Sequence, residues 1–132
     1  MLLVLGDMSF GKDDLGPGDR ILDFDLPTLD EGCLRSADLT ETGLAPLVFA
    51  SYTCPATESA APGLNQLHAR FGGQVRSVMV NVRGAHPGKN VPQPQPMNQK
   101  TAHAEQLGAV YGFDFEVAVD DIDDALHCAL SP

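Results

Sequence analysis

The chain has 132 residues and a formal net charge of −10, from eighteen acids against eight Lys and Arg; its size suits one domain rather than two. Such an acidic surface repels nucleic acid and anionic membranes, and a hydrophobic content of 43% is enough to build a core and so excludes wholesale disorder. No apolar run approaches the ~18 residues of a membrane span, and Met1-Leu2-Leu3-Val4-Leu5 lacks the basic flank and length of a signal peptide, so a cytoplasmic location is expected.

Residues 1–17 read as an irregular N-terminal segment, and 18–132 as the domain. Gly16-Pro17-Gly18-Asp19 is a turn signal. Apolar and acidic residues alternate from Ile21 to Leu26, which predicts a short edge strand ended by Pro27. Ser36-Ala37-Asp38-Leu39 suits a single helical turn. Leu47-Val48-Phe49-Ala50 predicts a buried central strand. After Cys54-Pro55, apolar residues at Ala60, Leu64, Leu67 and Phe71 predict one helix face, stopped by Gly72-Gly73. Pro62 predicts a kink or a late start in that helix. Gln74–Val82 is a second strand by its valines. Pro92, Pro94 and Pro96 exclude helix and central strand from the following stretch, which predicts an ordered loop beside a site. A helix over 98–110, with Asn98 as N-cap, would bury Ala102, Leu107 and Val110. Glu116–Val119 is a third strand. The four acids among residues 120–124 stand at the front of a last helix over 122–130, where the helix dipole favours them. The order predicts an α/β fold with parallel strands joined by a crossover.

Three cysteines, Cys33, Cys54 and Cys128, form no Cys-x-x-Cys pair, and the histidines His68, His86, His103 and His127 form no i,i+4 pair. Neither a disulfide framework nor a metal site is expected. The acids at 120–124 lack a full calcium-loop ligand set and read as a solvated helix start.

Cys54 stands between a buried strand and a helix whose first residue is Pro55. A thiol there meets unpaired backbone N–H groups and the positive end of a helix dipole, which stabilise thiolate over thiol. Thr53 and Ser51 add hydroxyls that could bond the sulfur or a substrate oxygen. Ala56-Thr57 follow, so no second cysteine stands where a dithiol oxidoreductase needs one. His86 has the titration range of a general acid or base. Cys33 and Cys128 read as non-catalytic, although Cys128 could act as a resolving thiol. His68 and His103 read as surface or boundary residues.

Gly18-Asp19 through Leu26-Pro27, then Ser36-Ala37-Asp38-Leu39, resemble the N-terminal part of the redoxin superfamily. Ser51-x-Thr53-Cys54-Pro55 resembles the active-site run of the iodothyronine deiodinase family, whose animal members carry selenocysteine where Cys54 stands. Ala85-His86-Pro87, Val91-Pro92-Gln93, the helix through Ala104 and Val119-Asp120-Asp121-Ile122-Asp123 continue the similarity. The resemblance implies a thioredoxin-like fold, a central mixed sheet flanked by helices, with its active site at Cys54 and His86 nearby. In that family the chalcogen attacks iodine on an iodophenol ring, and histidines assist. Gly84 stands where the family commonly has an acid, Pro94 where animal members place a second histidine, and cysteine replaces selenocysteine. The family also continues into a cis-proline loop, two strands and a helix, whereas this sequence ends at Pro132. A truncated C-terminal part, an uncovered strand edge and self-association are therefore expected.

The reading is a one-cysteine, deiodinase-like oxidoreductase that reduces a peroxide or an aryl halide. Cys54, Thr53 and His86 would be catalytic, and Ser51, Tyr52 and Pro55 would bind substrate. It needs no metal or organic cofactor. Its partners would be a small electrophile and an external thiol or redox protein, with a homo-oligomer possible and no nucleic acid or membrane. The rival readings are a non-catalytic thioredoxin-like binding module and a peroxiredoxin with a degraded motif.

Overall fold

Three short apolar runs become a parallel sheet. The computed structural model describes residues 14–41 and 43–130; the expected N-terminal segment lies largely outside them, as does Pro132. The elements are β1 (Asp25–Pro27), β2 (Cys33–Arg35), α1 (Ser36–Glu41), β3 (Leu47–Ala50), α2 (Pro55–Phe71), β4 (Val78–Asn81), α3 (Met97–Tyr111), β5 (Glu116–Val119) and α4 (Ala125–Leu130). The sheet order is β3-β4-β5, with both pairings parallel. The β1-β2 hairpin is antiparallel and abuts β5, where Thr28 bridges Ala118 and the Leu29 N–H donates to the Val117 carbonyl at 3.0 Å. The architecture is thus mixed α/β.

Residues of β4 alternate between two cores, as the two-residue strand period requires. Val78 and Val80 join Leu26, Leu34, Leu39, Ala118 and Leu126 on one face. Met79 joins Ala104, Leu107, Phe115, Val117 and Val119 on the other. All four β4 residues are buried, whereas Leu47, Val48 and Phe49 of β3 remain partly exposed. The central strand is therefore β4, not β3 as expected. Among the described residues β3 pairs with β4 alone.

Several boundaries differ from expectation. β1 includes Pro27, which sits opposite Cys33 of β2, a strand that the sequence reading did not include. α2 does not start late: Pro62 is exposed in its interior, so the one hydrogen bond that proline removes lies on the solvent side. The buried face of α2 is Thr57 and Ala61, while Leu67 and Phe71 line an apolar groove beside β3 and remain exposed. α3 begins at Met97 after Pro96 and buries Lys100, Ala104 and Leu107, leaving Ala102 and Val110 exposed. It stops at Gly112, whose φ of 63° is a left-handed conformation that glycine takes without strain.

The last helix starts at Ala125; of the four acids before it Asp121 and Asp123 are exposed, whereas Asp120 and Asp124 are buried and structural. Asp120 is buried, and its carboxylate accepts the backbone N–H groups of Asp121, Leu126 and His127 at 2.9, 3.2 and 2.8 Å. Asp124, also buried, takes φ 56° and accepts the Arg83 N–H on both carboxylate oxygens at 3.1 Å. The fully buried Lys100 ammonium donates to Asp124 and to the Asp121 carbonyl. This network ties α3, α4 and the end of β4 together.

Candidate active site

The carboxyl ends of β3 and β4 and the amino end of α2 meet at Cys54. The chain leaves β3 at Ala50 and turns through Ser51-Tyr52-Thr53, closing with a Cys54 N–H to Ser51 carbonyl bond of 3.2 Å. Cys54 is the extended N-cap residue of α2 and Pro55 occupies the first turn, where its missing N–H costs nothing. The Cys54 thiol titrates below the ordinary cysteine range. The chief cause is the backbone N–H of Thr57, with help from the Ala56 N–H and the Thr57 hydroxyl; burial acts in the opposite direction. These donors face the sulfur without closing a capping hydrogen bond of ordinary geometry.

A cavity of about 370 Å³ opens beside the sulfur. Its wall is mostly apolar, including Phe49, Ala60, Leu64 and Val82, and its polar side chains besides Cys54 are Ser51, Thr57 and His127. His127 is half-buried, stands 5.0 Å from the Phe49 ring centroid to centroid, and is anchored through its backbone N–H on Asp120.

The loop after β4 is held at its base by three tethers. Arg83 donates to Asp124, as above. The Gly84 N–H and carbonyl both bond the Gln93 carboxamide, at 2.7 and 2.9 Å. The Ala85 N–H donates to the Ser51 hydroxyl at 3.2 Å. Gly84 leaves no room for an acid here: a Cβ would stand 2.8 Å from Thr53 Oγ1 and 3.3 Å from Gln93 Oε1.

The residues singled out from the sequence divide accordingly. Cys54 and Ser51 line the cavity, with the Ser51 oxygen already accepting from the loop. The Thr53 Oγ1 is buried beside Gly84 with no hydrogen-bond partner. Tyr52 packs toward α3, where its carbonyl accepts from the Tyr111 hydroxyl at 3.5 Å. Pro55 is exposed at the helix start, and His86 is exposed on the loop; neither is among the cavity-lining residues. Thr57 and His127 carry the geometry that the sequence did not single out. Position 57 is the third helical residue after the cap, a legible signal, but nothing local links His127 to Cys54.

The other two cysteines differ from Cys54. Cys33 is exposed and bonds the Asp25 carboxylate, which pushes its thiol above the ordinary range. Cys128 is exposed, its sulfur 3.9 Å from the Asp123 carbonyl. Among the described residues no group of three or more His, Cys, Asp or Glu is placed to hold a metal ion, and no helix is long and apolar enough to cross a membrane.

No family model matches the sequence, and no curated protein matches it. Solved structures do match. A hypothetical protein from Sinorhizobium meliloti superposes with a TM-score of 0.68 at 17% identity, over 89% of this chain and 60% of its own. A protein described as the thiol:disulfide interchange protein DsbE, from Chlorobium tepidum, gives 0.66 at 24% identity, over 87% of this chain and 70% of its own. One described as a thioredoxin, from Neisseria meningitidis, gives 0.60 at 20% identity, over 85% and 65%. The chain has the thioredoxin-like fold. In that fold it spans 60% of the length of the first of these structures, and at such identities the shared property is the backbone path. The strand–Cys54–helix junction of this thioredoxin-like chain is the place where its own residues gather a lowered thiol, a cavity and a tethered loop.

Proposed function

We propose that the chain is a thiol-dependent oxidoreductase with one active-site cysteine, of deiodinase-like type. The observation that carries this reading is a low-titrating Cys54 at the start of α2 facing an apolar cavity of about 370 Å³. The thiolate is the reactive form of cysteine, and an apolar wall favours a soft, poorly hydrated electrophile. With a hydroperoxide, the sulfur attacks the terminal oxygen, the O–O bond breaks, and sulfenic acid and an alcohol form. With an aryl halide, the sulfur takes the halogen, and the ring carbon takes a proton. In either case an external thiol attacks the oxidised sulfur and releases water or halide, and a second thiol exchange restores Cys54. Neither Cys33 nor Cys128 lines the cavity, so the reductant is a small thiol or a redox protein. No metal or organic cofactor enters this chemistry. In this reading the protein works in the reducing cytoplasm, away from nucleic acid and membranes, and the β3 edge, unpaired among the described residues, offers a seam for a homo-oligomer.

Cys54→Ser should abolish reaction with hydroperoxide and with a thiol-specific label at mildly acidic pH. Full turnover by that variant would falsify the reading. A non-catalytic thioredoxin-like binding module is the second reading, favoured by the exposed position of His86 away from the cavity wall. An ordinary Cys54 titration, near ~8.5, would decide for it.

A further inference from the structure

The imidazole that lines the cavity beside Cys54 is that of His127, not the loop histidine His86. We propose that His127 is the acid of this site, protonating the group that leaves when the Cys54 sulfur captures its half of the electrophile. The inference deepens the proposed function and rests on Cys54 being a reactive thiolate.

Three observations place His127 for this task. It lines the same cavity as Cys54, so both border the space that a bound molecule would fill. The Phe49 ring, 5.0 Å away, flanks the imidazole. The backbone beneath it is fixed, because the buried Asp120 carboxylate accepts its N–H at 2.8 Å and those of Asp121 and Leu126 as well. The charged and titratable groups on the elements around it are Cys54 and Glu58 at the start of α2, Asp120 after β5, Asp121, Asp123 and Asp124 ahead of α4, and Arg83 and His86 on the loop whose Ala85 shares the cavity. Asp124 is paired with Lys100 of α3, and the β3 residues of the cavity, Val48, Phe49 and Ala50, carry no charge.

The step balances for an organic hydroperoxide. The thiolate takes the terminal OH and is oxidised by two electrons to sulfenic acid. The O–O bond breaks, and the departing alkoxide takes the imidazolium proton and leaves as an alcohol. His127 is then recharged from water, and an external thiol reduces the sulfur. An alkoxide is a poor leaving group and needs that proton, whereas a carboxylate leaves well without it.

The test is therefore leaving-group dependence. Single-turnover oxidation of Cys54 is followed with cumene hydroperoxide, which releases an alkoxide, and with perbenzoic acid, which releases a carboxylate. His127→Gln is expected to slow the first by roughly 10²-fold relative to the second, the size usual for a general acid. It should also remove the fall in the cumene hydroperoxide rate that accompanies imidazole deprotonation in the wild type. Damage to the fold would slow both oxidants together and leave their ratio unchanged, and His127→Asn gives the same comparison with a smaller side chain. An unchanged ratio in both variants, with a fast wild type, overturns the role of His127 alone. A wild-type chain that reacts with cumene hydroperoxide no faster than Cys54→Ser overturns the reading of Cys54, and the role of His127 with it.

Discussion

The buried pair beneath the site provides the strongest stability prediction. Lys100 is fully buried, and Asp124 nearly so, with its carboxylate also holding the Arg83 N–H twice at 3.1 Å. Lys100→Met leaves that carboxylate buried without its cation. Asp124→Asn leaves the ammonium buried with only the Asp121 carbonyl, while asparagine tolerates the φ of 56°. Breaking a buried pair on one side costs about 3–5 kcal/mol. At roughly 2.1 cal/mol/K of unfolding entropy per residue, a domain of this length loses about 11 °C of Tm for each 3 kcal/mol. The double variant removes both charges, and should recover most of that loss. Urea unfolding followed by circular dichroism measures all four corners of the cycle. A single variant within ~1 kcal/mol of wild type, or a double variant equal to the sum of the singles, would refute the argument that the two charges need each other.

Gly84→Ala should destabilise by about 1–3 kcal/mol, since its Cβ would meet Thr53 Oγ1 at 2.8 Å; Thr53→Ala in the same chain should recover much of the loss, read by the same urea titration. Limited alkylation at mildly acidic pH followed by peptide mass spectrometry should label Cys54 before Cys33, because α2 donors lower one thiol and Asp25 raises the other. The lowered Cys54 titration also couples to stability. The folded chain releases that proton at lower pH than the unfolded one, so the stabilisation is full above the unfolded value of ~8.5 and is lost as pH falls through the folded value. The stability difference between wild type and Cys54→Ser should grow as pH rises through that window, and a constant difference would contradict it.

The junction at Cys54 was legible because its signals are local: an apolar run, a capping position and a proline where helices begin. β5 was legible in the same way. What was missed depends on distant partners. Lys100 interrupts the apolar stripe of α3, so the pattern rotates toward Ala102 and Val110; the Asp124 carboxylate and the Asp121 carbonyl, brought from another part of the chain, make that lysine a core residue. Asp120 and Asp124 read as solvated charges because nothing nearby in sequence announces the N–H groups and ammonium they bind. Of the expected apolar face of α2, Leu64 packs against the core, whereas Leu67 and Phe71 line an open groove, so periodicity located the helix but not how much of its face is covered. His127 is 73 residues from Cys54 by number and reaches the cavity only through the folding of α4 beside β3.

The chemistry proposed for Cys54 depends on one ionisation. Thiolate absorbance in the ultraviolet, taken as the difference between wild type and Cys54→Ser across a pH titration, measures it directly. The expected midpoint lies below the free-cysteine value of ~8.5. A midpoint at or above it would mean that the amino end of α2 does not hold the charge, and the nucleophile would be lost from the account.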